Sequence, residues 1–227
     1  MADEINAVTE PLWVPLKPRE RRVVGVLVEK AKTTPEYYPM TLNALVAACN
    51  QKSNRDPVVS YDESAVMATL DILRDKNLVY TFHGSTSRVV KYKHMFPNVF
   101  ELDPAEVAVM AVLMLRGPQT VGEIRGRTDR LFEFTSLPEV QETLDKLAHR
   151  DEPLVMRLER QVGQKDARYA HLLSGEIDVA SLPAVRERTT AGGQSERVEK
   201  VEAEIESLKS ELSAFREEFA EFRKQFD

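Results

Sequence analysis

The sequence predicts an α+β protein, mainly α, in which one structural unit occurs twice and a C-terminal helix follows. Three observations predict this class. A segment that starts at residue 16 returns 86 residues later, the apolar spacing inside each copy changes from a helical to a strand period, and residues 196–227 carry a heptad pattern. Two domains and an appended helix fit a chain of 227 residues, because domains usually contain roughly 100–150.

The duplication is visible in three segments that recur in the same order. They are Leu16-Lys17-Pro18-Arg19-Glu20 as Leu102-Asp103-Pro104-Ala105-Glu106, Val66-x-x-Thr69-Leu70-Asp71-x-Leu73 as Val140-x-x-Thr143-Leu144-Asp145-x-Leu147, and Tyr92-x-His94 as Tyr169-x-His171. An internal repeat fixes the unit that has to fold, which here is roughly 80 residues long.

Three helices are predicted at the start of each copy. In the second copy the first helix begins with the capping sequence 103–106 and ends at Gly117-Pro118. The second and third helices open with the capping boxes 120–123 and 136–139. In the first copy, Ser60-Tyr61-Asp62-Glu63 is expected to cap the third helix.

The third helices carry apolar stripes, and the strand period follows them. The stripes are Val66, Leu70 and Leu73, and then Val140, Leu144 and Leu147. The predicted strands are Leu78–Phe82 and Val89–His94 around the loop 84–87, and Leu154–Leu158 and Arg168–Leu173 in the second copy. Three helices followed by a β-hairpin form a winged helix, a variant of the helix-turn-helix. The sequence therefore predicts an extended segment at 1–15, winged-helix domains at 16–96 and 97–174, a linker at 175–195 and a coiled-coil helix at 196–227.

Three strings of residues resemble the bacterial YceH-type family. They are Thr33-Thr34-Pro35-Glu36-x-Tyr38-Pro39, Ala48-Cys49-Asn50-Gln51-Lys52-x-Asn54-Arg55-x-Pro57-Val58, and Tyr169-x-His171-Leu172-x-Ser174-Gly175. The resemblance extends from about Leu16 to the C-terminal helix. It implies a tandem winged-helix fold and no established activity, so function has to be argued from the residues.

The C-terminal segment has apolar residues in strict 3-4 spacing, which predicts a parallel coiled-coil dimer. They are Val198, Val201, Ile205, Leu208, Leu212, Phe215, Phe219, Phe222 and Phe226. With Val198 at position a, each g residue faces an e residue of opposite sign on a second copy, for example Glu204 with Lys209. The alternative is that this stripe folds back onto the domains of its own chain.

Charge is unevenly distributed along the chain. Residues 16–96 carry a formal charge of +5, whereas residues 1–15, 97–195 and 196–227 carry −3, −4 and −4. A basic winged helix in a dimer is a candidate binder of duplex DNA, because phosphate contacts supply affinity and a twofold axis matches a palindrome. The leading hypothesis is therefore a transcription-regulator-like protein that uses its first domain.

The third helix is a poor candidate for reading bases, because Asp71 and Asp75 point outward on it. DNA contacts are expected instead from the polar string before this helix and from the wing. The candidate residues are Gln51, Lys52, Asn54, Arg55, Arg88, Lys91 and Lys93. Two structural alternatives stay open: the lysines form a solvated strand face, and the string makes caps, turns and an internal ion pair.

Other classes of function find little support in the sequence. There is no Gly-rich phosphate loop, and the four histidines and one cysteine lack metal-ligand spacing, so we expect no enzyme, no cofactor and no metal site. Cys49 is expected to be a buried, inert thiol, and a single cysteine is typical of the reducing cytoplasm. Neither a signal peptide nor a membrane span is expected. The competing hypothesis is a scaffold that binds an unidentified protein and no nucleic acid.

Overall fold

The computed structural model describes residues 15–83, 89–160 and 166–175, all within one compact unit. These residues form a helix-rich α+β structure with two small antiparallel sheets, which confirms the predicted class at this level. Arg88, the coiled-coil segment 196–227, and nearly all of the predicted segments 1–15 and 175–195 lie outside the described residues.

The same order of elements occurs in both halves of the described chain. The first half contains α1 (Pro18–Thr33), a 3-10 turn (Pro35–Tyr37), β1 (Met40–Thr41), α2 (Leu42–Cys49), α3 (Glu63–Asp75), β2 (Val79–Phe82) and β3 (Lys91–His94). A short helix, α4 (Phe96–Phe100), spans the predicted boundary at residue 96. The second half contains α5 (Pro104–Arg116), β4 (Gln119–Thr120), α6 (Val121–Thr128), α7 (Leu137–Ala148), β5 (Val155–Arg157) and β6 (Arg168–His171).

Each half forms a three-stranded antiparallel sheet, with the orders β1-β3-β2 and β4-β6-β5. The repeated Tyr-x-His signature lies on the central strand in both. Tyr92 pairs with Met40, and Tyr169 pairs with Gln119. The sequence repeat therefore corresponds to equivalent positions in three dimensions. Strands β1 and β4 were not predicted, because a strand of two residues has too little alternation to detect.

Capping explains where α5 and α6 begin. Asp103 accepts a hydrogen bond from the amide of Glu106, and the Glu106 carboxylate accepts one from the amide of Asp103, both at 2.9 Å. Thr120 and Glu123 form the same reciprocal pair. The predicted capping sequence 103–106 and the predicted capping box 120–123 are confirmed, and each satisfies amides that the first helical turn leaves unpaired.

Two predicted caps at the third helices need correction. Asp62, not Ser60, caps α3, because its carboxylate accepts a hydrogen bond from a first-turn amide at 2.7 Å. At α7, Ser136 accepts from the amide of Glu139, but the Glu139 carboxylate binds the amide and hydroxyl of Thr135 instead of closing the box. The Glu139 carboxylate binds Thr135 because this residue offers two hydrogen-bond donors, its amide and its hydroxyl.

A continuous apolar core extends through both halves. The predicted apolar stripes of α3 and α7 are buried in this core. They are Val66, Leu70 and Leu73, and Val140, Leu144 and Leu147. Helices α1 and α5 pack closely: a Cβ atom on Gly25 would lie 3.0 Å from Leu115 Cδ2. None of the helices that the structure describes has both the length and the apolarity needed to cross a membrane.

Candidate nucleic-acid interface

The polar string that follows α2 is held by contacts within the protein. The Asn50 side chain donates to the carbonyl of Tyr61 and accepts from its amide, both at 2.8 Å. Arg22, buried in α1, donates to the carbonyls of Cys49 and Pro57 on either side of the string. These bonds fix the path of the loop, since they satisfy backbone groups that would otherwise be buried without a partner.

Arg55 is buried, which contradicts its predicted place on a contact surface. Its guanidinium meets the Glu29 carboxylate through two bonds, Nη1 to Oε1 at 3.0 Å and Nη2 to Oε2 at 2.6 Å. It also donates to the carbonyl of Ala48. The structural alternative, an internal ion pair, is therefore the one that the structure contains. A buried guanidinium needs this arrangement, because unpaired burial of a charge is very unfavourable.

The other three residues of the string have different surroundings. Asn54 is exposed, lies at the positive φ of 58°, and accepts a hydrogen bond from Arg116. Gln51 is half-buried and accepts from Lys30 and Arg55. Lys52 is exposed and has no ion pair within the described part of the chain. Of the predicted contacts in this loop, Lys52 is thus the one cation that the described structure leaves available.

The β2–β3 hairpin carries the more complete candidate surface. Lys93 lies directly opposite Tyr80, and Lys91 directly opposite Phe82. Directly opposite residues share one face of an antiparallel sheet, so these four side chains form one surface, which we call the hairpin face. Tyr80 and Phe82 are 50% and 47% exposed, whereas Tyr92 on the other side of β3 is buried in the core. Arg88 belongs to the loop between these strands, outside the described residues.

Neither lysine of the hairpin face has a carboxylate partner among the residues described. The second half shows the contrast. At the position of Lys91, Arg168 forms an ion pair with Glu123, Nη1 to Oε2 at 2.7 Å. The residue equivalent to Glu123 in the first half is Ala44, so that half lacks the neutralising acid. The hairpin face is therefore the more electropositive of the two equivalent surfaces.

The outward face of α3 carries carboxylates, as predicted. Asp71 and Asp75 are exposed, and Asp71 pairs with Arg74 at 3.2 Å. Glu142, Asp145 and His149 are likewise exposed on α7. Negative charge on these helices disfavours insertion into a groove lined by phosphates.

Comparison with known proteins gives a family. Residues 16–164 match the family described as "Protein of unknown function, DUF480". The chain belongs to this family. It is 59% identical to a UPF0502 protein of Opitutus terrae over 173 residues, covering 76% of this chain and 75% of that one. It is 52% identical to a UPF0502 protein of Citrifermentans bemidjiense, covering 82% and 86%, and 48% identical to one of Pectobacterium atrosepticum, covering 84% and 92%.

The family region includes the hairpin face and ends before the heptad segment. Both lysines of this face were predicted contacts, whereas its two aromatic residues were not predicted. Alternation in Val79-Tyr80-Thr81-Phe82 could have placed Tyr80 and Phe82 on one side of the strand. Which side faces the core depends on packing against α3, so exposure of the rings was not readable from alternation alone.

Two further reactive groups are shielded from solvent: Cys49 is buried and His94 is half-buried. Burial raises the pKa of the Cys49 thiol to about 12, despite the nearby guanidinium groups of Arg22 and Arg55. Burial, together with Lys93 and Lys32, lowers the pKa of His94 to about 4, so its ring is neutral at neutral pH. No cluster of three or more His, Cys, Asp or Glu side chains in the described ranges is arranged to hold a metal ion.

Proposed function

We propose that this chain is a DNA-binding protein with two tandem winged helices that self-associates through residues 196–227. Each half supplies three helices and a three-stranded sheet in the order expected of a winged helix. On this assignment the β2–β3 hairpin is the wing of the first domain. The YceH-type resemblance implies the same fold. We also place the protein in the cytoplasm, in line with its single cysteine.

The observation that carries this proposal is the hairpin face. Lys91 and Lys93 lie on one face of β3, and the described structure gives neither of them a carboxylate partner. Phosphate groups are the complementary ligand, because their binding by lysine releases the counterions condensed on nucleic acid. Lys52 and Arg88 are assigned to the same function on their charge, whereas Arg55 is assigned to stabilising the fold.

The test is fluorescence anisotropy of the full chain on mixed-sequence duplex DNA at about 50 and about 200 mM salt. We expect binding that weakens steeply with salt and that is lost in the Lys91→Glu/Lys93→Glu variant. A matched control is Arg130→Glu/Arg160→Glu, which reverses two exposed charges in the second half. Absence of binding at the lower salt concentration, or equal loss in both variants, would remove support for the proposal.

A second function is favoured by apolar exposure. Met67 and Ile72 are 39% and 41% exposed on α3. Together with the carboxylates of that helix, they suit a scaffold whose partner is another protein. A scaffold of this kind binds no DNA even at the lower salt concentration, so the same titrations separate the two functions.

A further inference from the structure

The hairpin face combines exposed aromatic side chains with lysine side chains. Aromatic rings occupy β2 at positions 80 and 82, and ammonium groups stand opposite them on β3. About half of the surface of Tyr80 and of Phe82 is open to solvent. Contiguous exposed apolar surface is a feature of binding sites, because leaving it in water is unfavourable. Aromatic rings beside cations are the combination with which proteins bind single-stranded nucleic acid.

A duplex presents the wrong surface to these rings. In a double helix each base face is covered by its neighbours, and only base edges and phosphates remain accessible. Two residues on one face of a strand lie about 7 Å apart. This is twice the roughly 3.4 Å between stacked bases, so neighbouring nucleotides must separate before each one meets its own ring. The rings therefore complement an unpaired, extended strand.

The charge of the neighbouring helix α3 also disfavours binding of a duplex. Sequence readout in a duplex depends on a helix or strand entering the major groove. The exposed carboxylates of Asp71 and Asp75 make α3 unsuited to that position. A single strand lying across the sheet needs no such insertion, because stacking and phosphate contact both occur on the hairpin face.

We propose that the hairpin face binds single-stranded nucleic acid, with Tyr80 and Phe82 stacked on bases and Lys91 and Lys93 against phosphates. This inference rests on the proposed nucleic-acid function and specifies its substrate class. Stacking on an aromatic ring is tolerant of sequence, because every base has a π-face. Binding is therefore expected to depend on strandedness more than on base sequence.

The experiment compares three labelled probes of one mixed sequence with the full chain: single-stranded DNA, single-stranded RNA and duplex DNA. A length of about 20 nucleotides exceeds the usual single-strand sites of about 4–16. At one salt concentration we expect single strands to bind about ten-fold or more tightly than the duplex. A preference for either single strand over the duplex supports the proposal. The single strand that binds more tightly shows whether deoxyribose or ribose is preferred.

Three variants isolate stacking from apolar contact. Tyr80→Leu/Phe82→Leu keeps apolar side chains and removes both rings, so we expect about a ten-fold or greater loss on single strands and little change on duplex. Tyr80→Phe/Phe82→Tyr keeps two rings and should retain binding. Leu137→Ala removes an exposed apolar side chain from the second half and serves as the control. Circular dichroism verifies that each variant is folded.

The outcomes separate this inference from the proposed function. Equal or tighter binding of the duplex, or unchanged single-strand binding by the leucine variant, overturns the single-strand inference. If the lysine reversal still abolishes duplex binding, the DNA-binding function survives. Failure of all three probes to bind at low salt overturns both.

Discussion

Arg55 and Glu29 form a buried, bidentate ion pair between the loop after α2 and the helix α1. The guanidinium is fully buried, and the Nη2–Oε2 distance is 2.6 Å. Parallel hydrogen bonds of this kind are among the strongest that side chains make. The pair ties the polar string to the core, so that a sequence resembling a recognition loop stabilises the fold instead.

Removing one member of this pair should destabilise the protein strongly. Glu29→Gln leaves the Arg55 charge buried without a counter-charge, and such changes typically cost about 3–5 kcal/mol of unfolding free energy. Urea denaturation followed by circular dichroism measures the loss. Lys52→Gln, in the same loop but exposed, should change stability by less than about 0.5 kcal/mol. A Glu29→Gln protein as stable as the wild type would show that the pair contributes little.

The same loop shows what the sequence could predict and what it could not. The string Asn50 to Arg55 is polar throughout, and polarity alone predicts a surface. The burial of Arg55 depends on Glu29, a residue 26 positions away, and that contact arises only when α1 packs beside α2. A long-range ion pair leaves no local pattern in the sequence. An internal ion pair of Arg55 could therefore be stated as an alternative to a surface position, but the sequence did not favour either one.

Local signals were more reliable for the fold. Capping sequences indicated α5, α6 and α7, and the helical period indicated α3 and α7, because these signals depend on residues within one or two helical turns. The sequence repeat then predicted α1 and α2 by equivalence with α5 and α6. The short helix α4 and the paired strands β1 and β4 depend on tertiary contact and were missed. Exposure of Tyr80 and Phe82 was missed for the same reason.

His171 should make stability depend on pH. Burial, together with the Arg21 cation, lowers its pKa from 6.5 to about 3. Arg21 Nη1 lies 2.9 Å from His171 Nε2, and a guanidinium only donates, so this nitrogen accepts and the ring is neutral. In the unfolded chain the ring takes up a proton below pH 6.5. Its contribution is therefore complete above pH 6.5 and is lost as the pH falls towards about 3.

The His171→Gln variant tests this dependence. Between pH 7 and pH 5 the wild type should lose up to about 1 kcal/mol more unfolding free energy per pH unit than the variant. Urea denaturation at several pH values in this interval avoids most carboxylate titration. His149→Gln alters an exposed histidine and serves as the matched control. Identical slopes in wild type and His171→Gln would exclude His171 as the source.

Two glycines should respond to substitution in opposite directions. Gly25 lies where α1 crosses α5, and its added Cβ would lie 3.0–3.2 Å from atoms of Leu115 and Met114. Gly25→Val should therefore cost about 1–3 kcal/mol through overpacking. At Gly126 in α6 a Cβ would meet nothing within 4 Å, so Gly126→Ala should stabilise by about 0.5–1 kcal/mol through helix propensity. Thermal unfolding of both variants measures these changes in stability. A Gly25→Val variant more stable than the wild type would contradict the close crossing of α1 and α5.

The heptad segment predicts the oligomeric state. Light scattering after size exclusion should give about twice the 25.8 kDa of one chain, and deletion of residues 196–227 should give a monomer. An intact chain that is already monomeric would refute the coiled coil.

Charge reversal within this segment tests whether the helices are parallel. In a parallel pair Glu204 faces Lys209, and Glu211 faces Arg216, of the second copy. Glu204→Lys/Glu211→Lys places like charges opposite each other and should raise the dimer dissociation constant. Adding Lys209→Glu/Arg216→Glu restores opposite signs in the same register and should recover the dimer. Failure of this second pair of changes to rescue the first would argue against a parallel arrangement, because only that register makes these residues neighbours.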